Sequence, residues 1–97
     1  MLGGVSGHAG LFSNANDLAV IMQMLPQQGY YGGNRYLEPQ TVQNFITRHP
    51  RSIRRGVGFD MYPMGASYPT NMSAQASEST FGHTGFTGTC TWVDPEH

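Results

Sequence analysis

The 97 residues predict an α+β fold, with two helices packed on a small antiparallel sheet. Three observations carry this expectation. Leu18, Ile21, Met22 and Leu25 recur at i, i+3, i+4 and i+7, which places them on one face of a helix. Val42, Phe45 and Ile46 form a second such stripe. From Thr89 onward the period changes to two. Thr89, Thr91 and Val93 take one parity and Cys90 and Trp92 the other, as a pleated strand requires.

Residues 1 to 12 are rich in glycine. No Gly-Lys-Ser/Thr follows and no lysine exists anywhere, so this is not a phosphate-binding loop. His8, between Gly7 and Ala9, is either an ordinary loop histidine or one that faces a cleft. The first helix is expected over residues 14 to 25, capped by Ser13 or Asn14. With Asn14 as cap, Asp17 falls at the third helical position. Pro26 stops this helix and Gly29 releases the chain. Met22 and Met24 read as core filler. Residues 27 to 36 read as a polar turn whose three tyrosines, Tyr30, Tyr31 and Tyr36, pack half-buried on the next helix. That helix is expected from Pro39 to about His49, with Pro39 at the first helical position and Leu37 and Val42 spaced as a hydrophobic staple. His49-Pro50 ends it. Gly56 to Tyr62 reads as a short strand. Residues 63 to 79, with Pro63 and Pro69, form a long loop rich in Ser, Ala and Met. The last stretch, Phe81 to Trp92, carries Gly82, Gly85 and Gly88 ahead of its alternating residues. Glycine in a strand lets a ligand or another backbone come close.

Composition bounds the function. Ninety-seven residues make at most one small domain. Charged residues are 11%, against roughly 25% in an average soluble domain, which suggests that more protein covers part of this surface. A net charge of −1 gives no electrostatic case for nucleic acid or an acidic membrane. Arg51, Arg54 and Arg55 are a small cluster that reads as a solvated turn. Cys90, the only cysteine, excludes an intrachain disulfide and reads as a small buried hydrophobe rather than a catalytic thiol. No run approaches the ~18 apolar residues of a membrane span, and no basic-then-apolar leader opens the chain. His8, His49, His83, His97 and Cys90 show no ligand spacing for zinc. A triad using His83 with Asp60 or Asp94 has no Gly-x-Ser-x-Gly elbow behind it.

Two blocks carry a family resemblance. Gly82-His83-Thr84-Gly85-Phe86-Thr87-Gly88-Thr89, followed by Trp92-Val93-Asp94-Pro95, resembles the hairpin of the serine β-lactamase and penicillin-binding-protein superfamily that bears its third motif. That motif is usually Lys-Thr-Gly, and a His-x-Gly version is familiar among the class C-like esterases and peptidases. Upstream, Gly10-Leu11-Phe12-Ser13-Asn14-Ala15-Asn16-Asp17-Leu18-Ala19 resembles the family's GLFSTAxDLA segment, and Gly56 to Met61 resembles its GLGFxV strand. The likeness covers nearly the whole chain but only the C-terminal part of a family domain. It implies that residues 1–97 are a partial domain of the β-lactamase-like (transpeptidase-like) fold, ending before the family's last strand and helix.

The resemblance also implies chemistry. Acyl transfer needs a nucleophile, a proton acceptor and an oxyanion hole. Carried over by position, His83 orients the substrate and Thr84 donates a hydrogen bond to it. Gly85 lets the substrate backbone lie against the strand, and the Phe86 amide is an oxyanion donor. Histidine in place of lysine weakens the fixed positive charge, because an imidazole has a reference pKa of about 6.5. This departure leans the parent protein toward ester or peptide substrates rather than carboxylate-bearing β-lactams. The loop from Ser67 to Ser79 is expected to border the substrate mouth.

No Ser-x-x-Lys can occur without lysine, and no Tyr-x-Asn or Tyr-x-Ser appears. The expectation is therefore a piece of a serine hydrolase that carries one wall of the active site and no turnover of its own. It implies no cofactor. Its implied partners are the remainder of its own domain and a small-molecule or peptide substrate, with a periplasmic or extracellular location for the parent. The rival reading is a non-catalytic binding or scaffolding module of the same fold, of the kind found attached to cell-wall glycoside hydrolases.

Overall fold

The first helix begins where a side chain can take over from the missing backbone partners. In the computed structural model, which describes residues 10–65 and 71–97, α1 spans Ala15–Met24. Asn14 caps it: the Asp17 N–H donates to Asn14 Oδ1 at 3.0 Å, and Asn14 Nδ2 donates back to Asp17 Oδ2 at 2.8 Å. The reciprocal pair fixes the start of the helix. At the other end the Gly29 N–H reaches the Met24 carbonyl (2.9 Å) and the Gln28 N–H the Leu25 carbonyl (3.0 Å). This Schellman pairing holds Gln28 in the left-handed region at φ 56°.

The expected polar turn is a hairpin. β1 (Tyr30–Tyr31) pairs antiparallel with β2 (Asn34–Arg35). The two-residue corner is Gly32-Gly33, both at positive φ, a geometry that matches strand twist. The expectation of half-buried tyrosines fails at Tyr30 (45% exposed) and Tyr36 (62% exposed). Tyr31 alone is half-buried. A ribbon of two-residue strands presents too little face to cover three rings.

α2 spans Pro39–Ile46, with Pro39 in its first turn as expected. It ends about one turn before His49, because Thr47 is extended and Arg48 is drawn out of the helix. The Arg48 guanidinium donates to three backbone carbonyls: Ile53 (2.5 Å), Tyr62 (2.6 Å) and Glu78 (3.3 Å). A single cation thus ties the segment after α2 to the chain entering and leaving the long loop. Of the expected strand from Gly56 to Tyr62, only Asp60–Met61 is β3. Gly56 to Phe59 is a turn instead, closed by the Gly56 N–H on the Phe59 carbonyl at 3.0 Å. It returns the chain so that Arg55 bridges Asp60, with Arg55 Nε 3.0 Å from Asp60 Oδ1.

β4 (Phe81–Thr84) is the centre of a three-stranded antiparallel sheet ordered β3-β4-β5, where β5 is Cys90–Val93. The register pairs Met61 with Phe81, Phe81 with Val93, Gly82 with Trp92, His83 with Thr91 and Thr84 with Cys90. Paired residues share a face, so Met61, Phe81 and Val93 line one side. Against that side the helices deliver Leu25 and Val42, with Met22, Ile46 and Phe59 around them. The Phe59 and Phe81 rings meet edge to face, 5.3 Å between centroids. Full burial of Phe81 contributes about 3 kcal/mol.

The stripes are only partly buried. Ile21 is 51% exposed and Phe45 46%, so both depart from the buried positions their spacing predicts. The core is one cluster where the ends of both helices meet the sheet, and these two residues lie outside it.

Candidate functional site

The hairpin joining β4 and β5 is built by glycine. Gly88 sits at φ 88°, and its N–H bonds the Gly85 carbonyl at 3.1 Å, while the Gly85 N–H bonds the Thr89 carbonyl at 2.6 Å. This is a tight turn over Gly85, Phe86, Thr87 and Gly88 with a bulge at the last residue. Gly82 is glycine for a different reason. A Cβ there would run into the Thr91 carbonyl and the Trp92 ring, so Trp92 can lie across β4 only because that position is bare.

The four candidate residues, His83, Thr84, Gly85 and Phe86, are consecutive, but they do not share one face. His83 falls on the side of Phe81 and Thr84 on the side of Trp92. A ligand that touches both must therefore lie along the strand edge. That edge is open among the described residues: β3 pairs only with Phe81 and Gly82, and the chain before it turns away at Gly56 to Phe59. Because the Gly85 N–H points to β5, the alternation of an antiparallel ladder turns the Thr84 N–H and C=O outward, to the open edge. At the turn, the Phe86 side chain is fully exposed, and its N–H makes no hydrogen bond among the described residues.

His83 is exposed, and its Nδ1 lies 2.7 Å from the Thr84 carbonyl oxygen. Cys90 is exposed too, which corrects the expectation of a buried thiol. It pairs with Thr84 at the turn end of the hairpin, beyond the cover that Trp92 provides on that face. His8 and the Ser67 to Thr70 part of the expected substrate-mouth loop lie outside the described residues.

A second polar cluster escaped the sequence reading. Asp94, just past β5, accepts from Ser77 Oγ (2.5 Å) and from the Ser77 N–H (2.9 Å). Ser79 Oγ donates to Glu96 at 2.8 Å, and His97 Nδ1 lies 3.1 Å from Asp94. The Ser77 hydroxyl above all, then its N–H, hold the Asp94 carboxyl well below the usual carboxylate range. This does not make a Ser-His-Asp triad: the serine hydroxyl faces the carboxylate, and the imidazole that would take its proton in a triad is not aimed at it. The cluster pins the end of the long loop to the exit of β5, beside an open cavity of about 580 Å³ lined by Trp92, Thr80 and Asp94. Among the described residues, no three His, Cys, Asp or Glu side chains gather where they could hold a metal ion, and no helix is long and apolar enough to cross a membrane.

Comparison with known proteins gives a consistent picture. The family profile described as "Beta-lactamase" matches residues 1–97. Curated proteins of Salmonella paratyphi B, Salmonella newport and Salmonella heidelberg, each named "Putative D-alanyl-D-alanine carboxypeptidase", are 44% identical over 94 residues. The match takes in 97% of this chain and 22% of each relative, so the chain spans about a fifth of their length. No solved structure matches the chain significantly.

Proposed function

This chain belongs to the Beta-lactamase family, and from that premise we propose that it forms the substrate-side wall of a serine hydrolase that cleaves a peptide or ester bond through an acyl-enzyme. The observation that carries the reading is the open edge of β4 running into the free Phe86 N–H. A peptide laid along this edge brings its scissile carbonyl toward the turn. There the Phe86 N–H is one donor for the oxyanion that forms when a serine attacks. Thr84 hydrogen-bonds the substrate, and Gly85 keeps the approach clear of a side chain. The serine and its base come from outside these 97 residues, since the chain has no lysine for a Ser-x-x-Lys. The acyl group passes to that serine as the amine or alcohol leaves, and water then releases the acid. The name shared by the relatives favours a peptide over a β-lactam as the bond broken. The rest of its own domain is the partner this reading requires.

The test is intact mass after treatment with a serine-directed acylating probe, on these 97 residues and on a longer protein that carries them. The expected outcome is an adduct on the longer protein alone. An adduct on the 97 residues would overturn the division of labour proposed here. No adduct on either would favour a non-catalytic module of this fold.

A further inference from the structure

Resting on that reading of the β4 edge, we propose that the Phe86 side chain sets specificity at the scissile bond. Its ring takes an apolar side chain on the acyl residue, the residue whose carbonyl docks on the Phe86 N–H. Substrates with an apolar acyl residue are then preferred over those with glycine there. Phe86 belongs to the turn that follows β4. That turn is closed by the Gly88 N–H on the Gly85 carbonyl at 3.1 Å, and of its four residues only Gly88 has a positive φ. Phe86 and Thr87 are therefore the central pair of a type I turn, with Gly88 as the bulge behind them. The first central residue of such a turn has a φ of about −60°. At that angle the Cβ eclipses the amide hydrogen across the N–Cα bond. The Phe86 ring is thus carried on the same side as the Phe86 N–H.

A carbonyl oxygen held by that N–H stands about 2.9 Å from the nitrogen. The side chain of the acyl residue begins two bonds from the carbonyl carbon, so it enters the space beside the ring. The Phe86 ring is fully exposed and lies outside the core cluster, so no described residue fills that space. Gly85, on the strand side, carries no side chain to occupy it either. Along β4 the neighbouring side chains are polar, with His83 Nδ1 against the Thr84 carbonyl. The apolar surface of the four site residues is therefore concentrated at the turn. Covering roughly 60 Å² of such surface is worth about tenfold in affinity.

The experiment uses the intact protein that carries this chain, with dipeptide isosteres in which a ketomethylene replaces the scissile amide. These keep the acyl carbonyl and a free terminal carboxylate, and they cannot be cleaved. Calorimetry compares a glycine with a leucine side chain on the acyl residue, the leucine in both configurations. The better leucine form should bind about tenfold more tightly than the glycine form. Phe86→Ala keeps the N–H and should abolish the preference, and Phe86→Leu should retain most of it. The inference falls if the glycine form binds as tightly as leucine, if Phe86→Ala leaves the preference intact, or if neither ligand binds. A preference that depends on Phe86, in a protein that takes up no acylating probe, would leave this inference standing and remove the hydrolase reading alone. Probe uptake without any preference would do the opposite.

Discussion

Single residues here act mostly through what they leave room for. Gly82 is bare so that Trp92 can cross β4, and nothing flexible stands where a Cβ would go. Gly82→Ala should therefore cost about 3 kcal/mol, at the upper end of overpacking penalties, read as a lower denaturation midpoint with an unchanged slope. The chemistry of Asp94 is legible at the same scale. Its carboxyl titrates below the usual range because the Ser77 hydroxyl and N–H favour the charged form. A depressed carboxylate contributes stability above its unfolded pKa of about 3.9 and loses it as pH falls toward the folded value. Ser77→Ala should lower stability by a constant amount from pH 7 to about pH 5, and the gap should narrow below about pH 4. Chemical denaturation across that range checks it, and a gap that persists into strong acid would show that Ser77 acts by packing.

Elements were legible where a local rule decides them. The Asn14–Asp17 box marks α1, and Pro39 marks α2. The Gly32-Gly33 corner carried a hairpin signal that went unread, because the flanking strands are two residues each and show no alternation. The end of α2 had no local signal. Arg48 leaves the helix because three carbonyls wait for it, and those carbonyls lie 5, 14 and 30 residues onward. Arg48→Met should keep the aliphatic packing and lose the three bonds. The expected cost is about 2 kcal/mol, with faster amide exchange at Met64 and Thr80, whose N–H bonds lie in the tethered segments. Unchanged exchange at both sites would reduce Arg48 to an ordinary surface residue.

At the scale of the whole molecule, the described residues bury little. Among the described residues, four hydrophobic side chains form the buried core, while Leu11, Phe12, Ile21, Phe45 and Phe86 stay open. An apolar surface of this extent on so small a chain favours association. Sedimentation of the 97 residues should show a mass that rises with concentration, and a strict monomer throughout would refute it. At this scale the boundary between sequence and structure is clear. The order of helices and strands, the capping signals and the Gly82–Thr89 hairpin were set by rules that act within a few residues, namely periodicity, cap chemistry and turn glycines. The tertiary structure alone decided which half of each apolar stripe is buried, how far Arg48 reaches, that Asp94 meets Ser77, and that β4 keeps an open edge at Thr84. Each of those depends on residues far apart in the chain, and local spacing carries no information about what stands opposite.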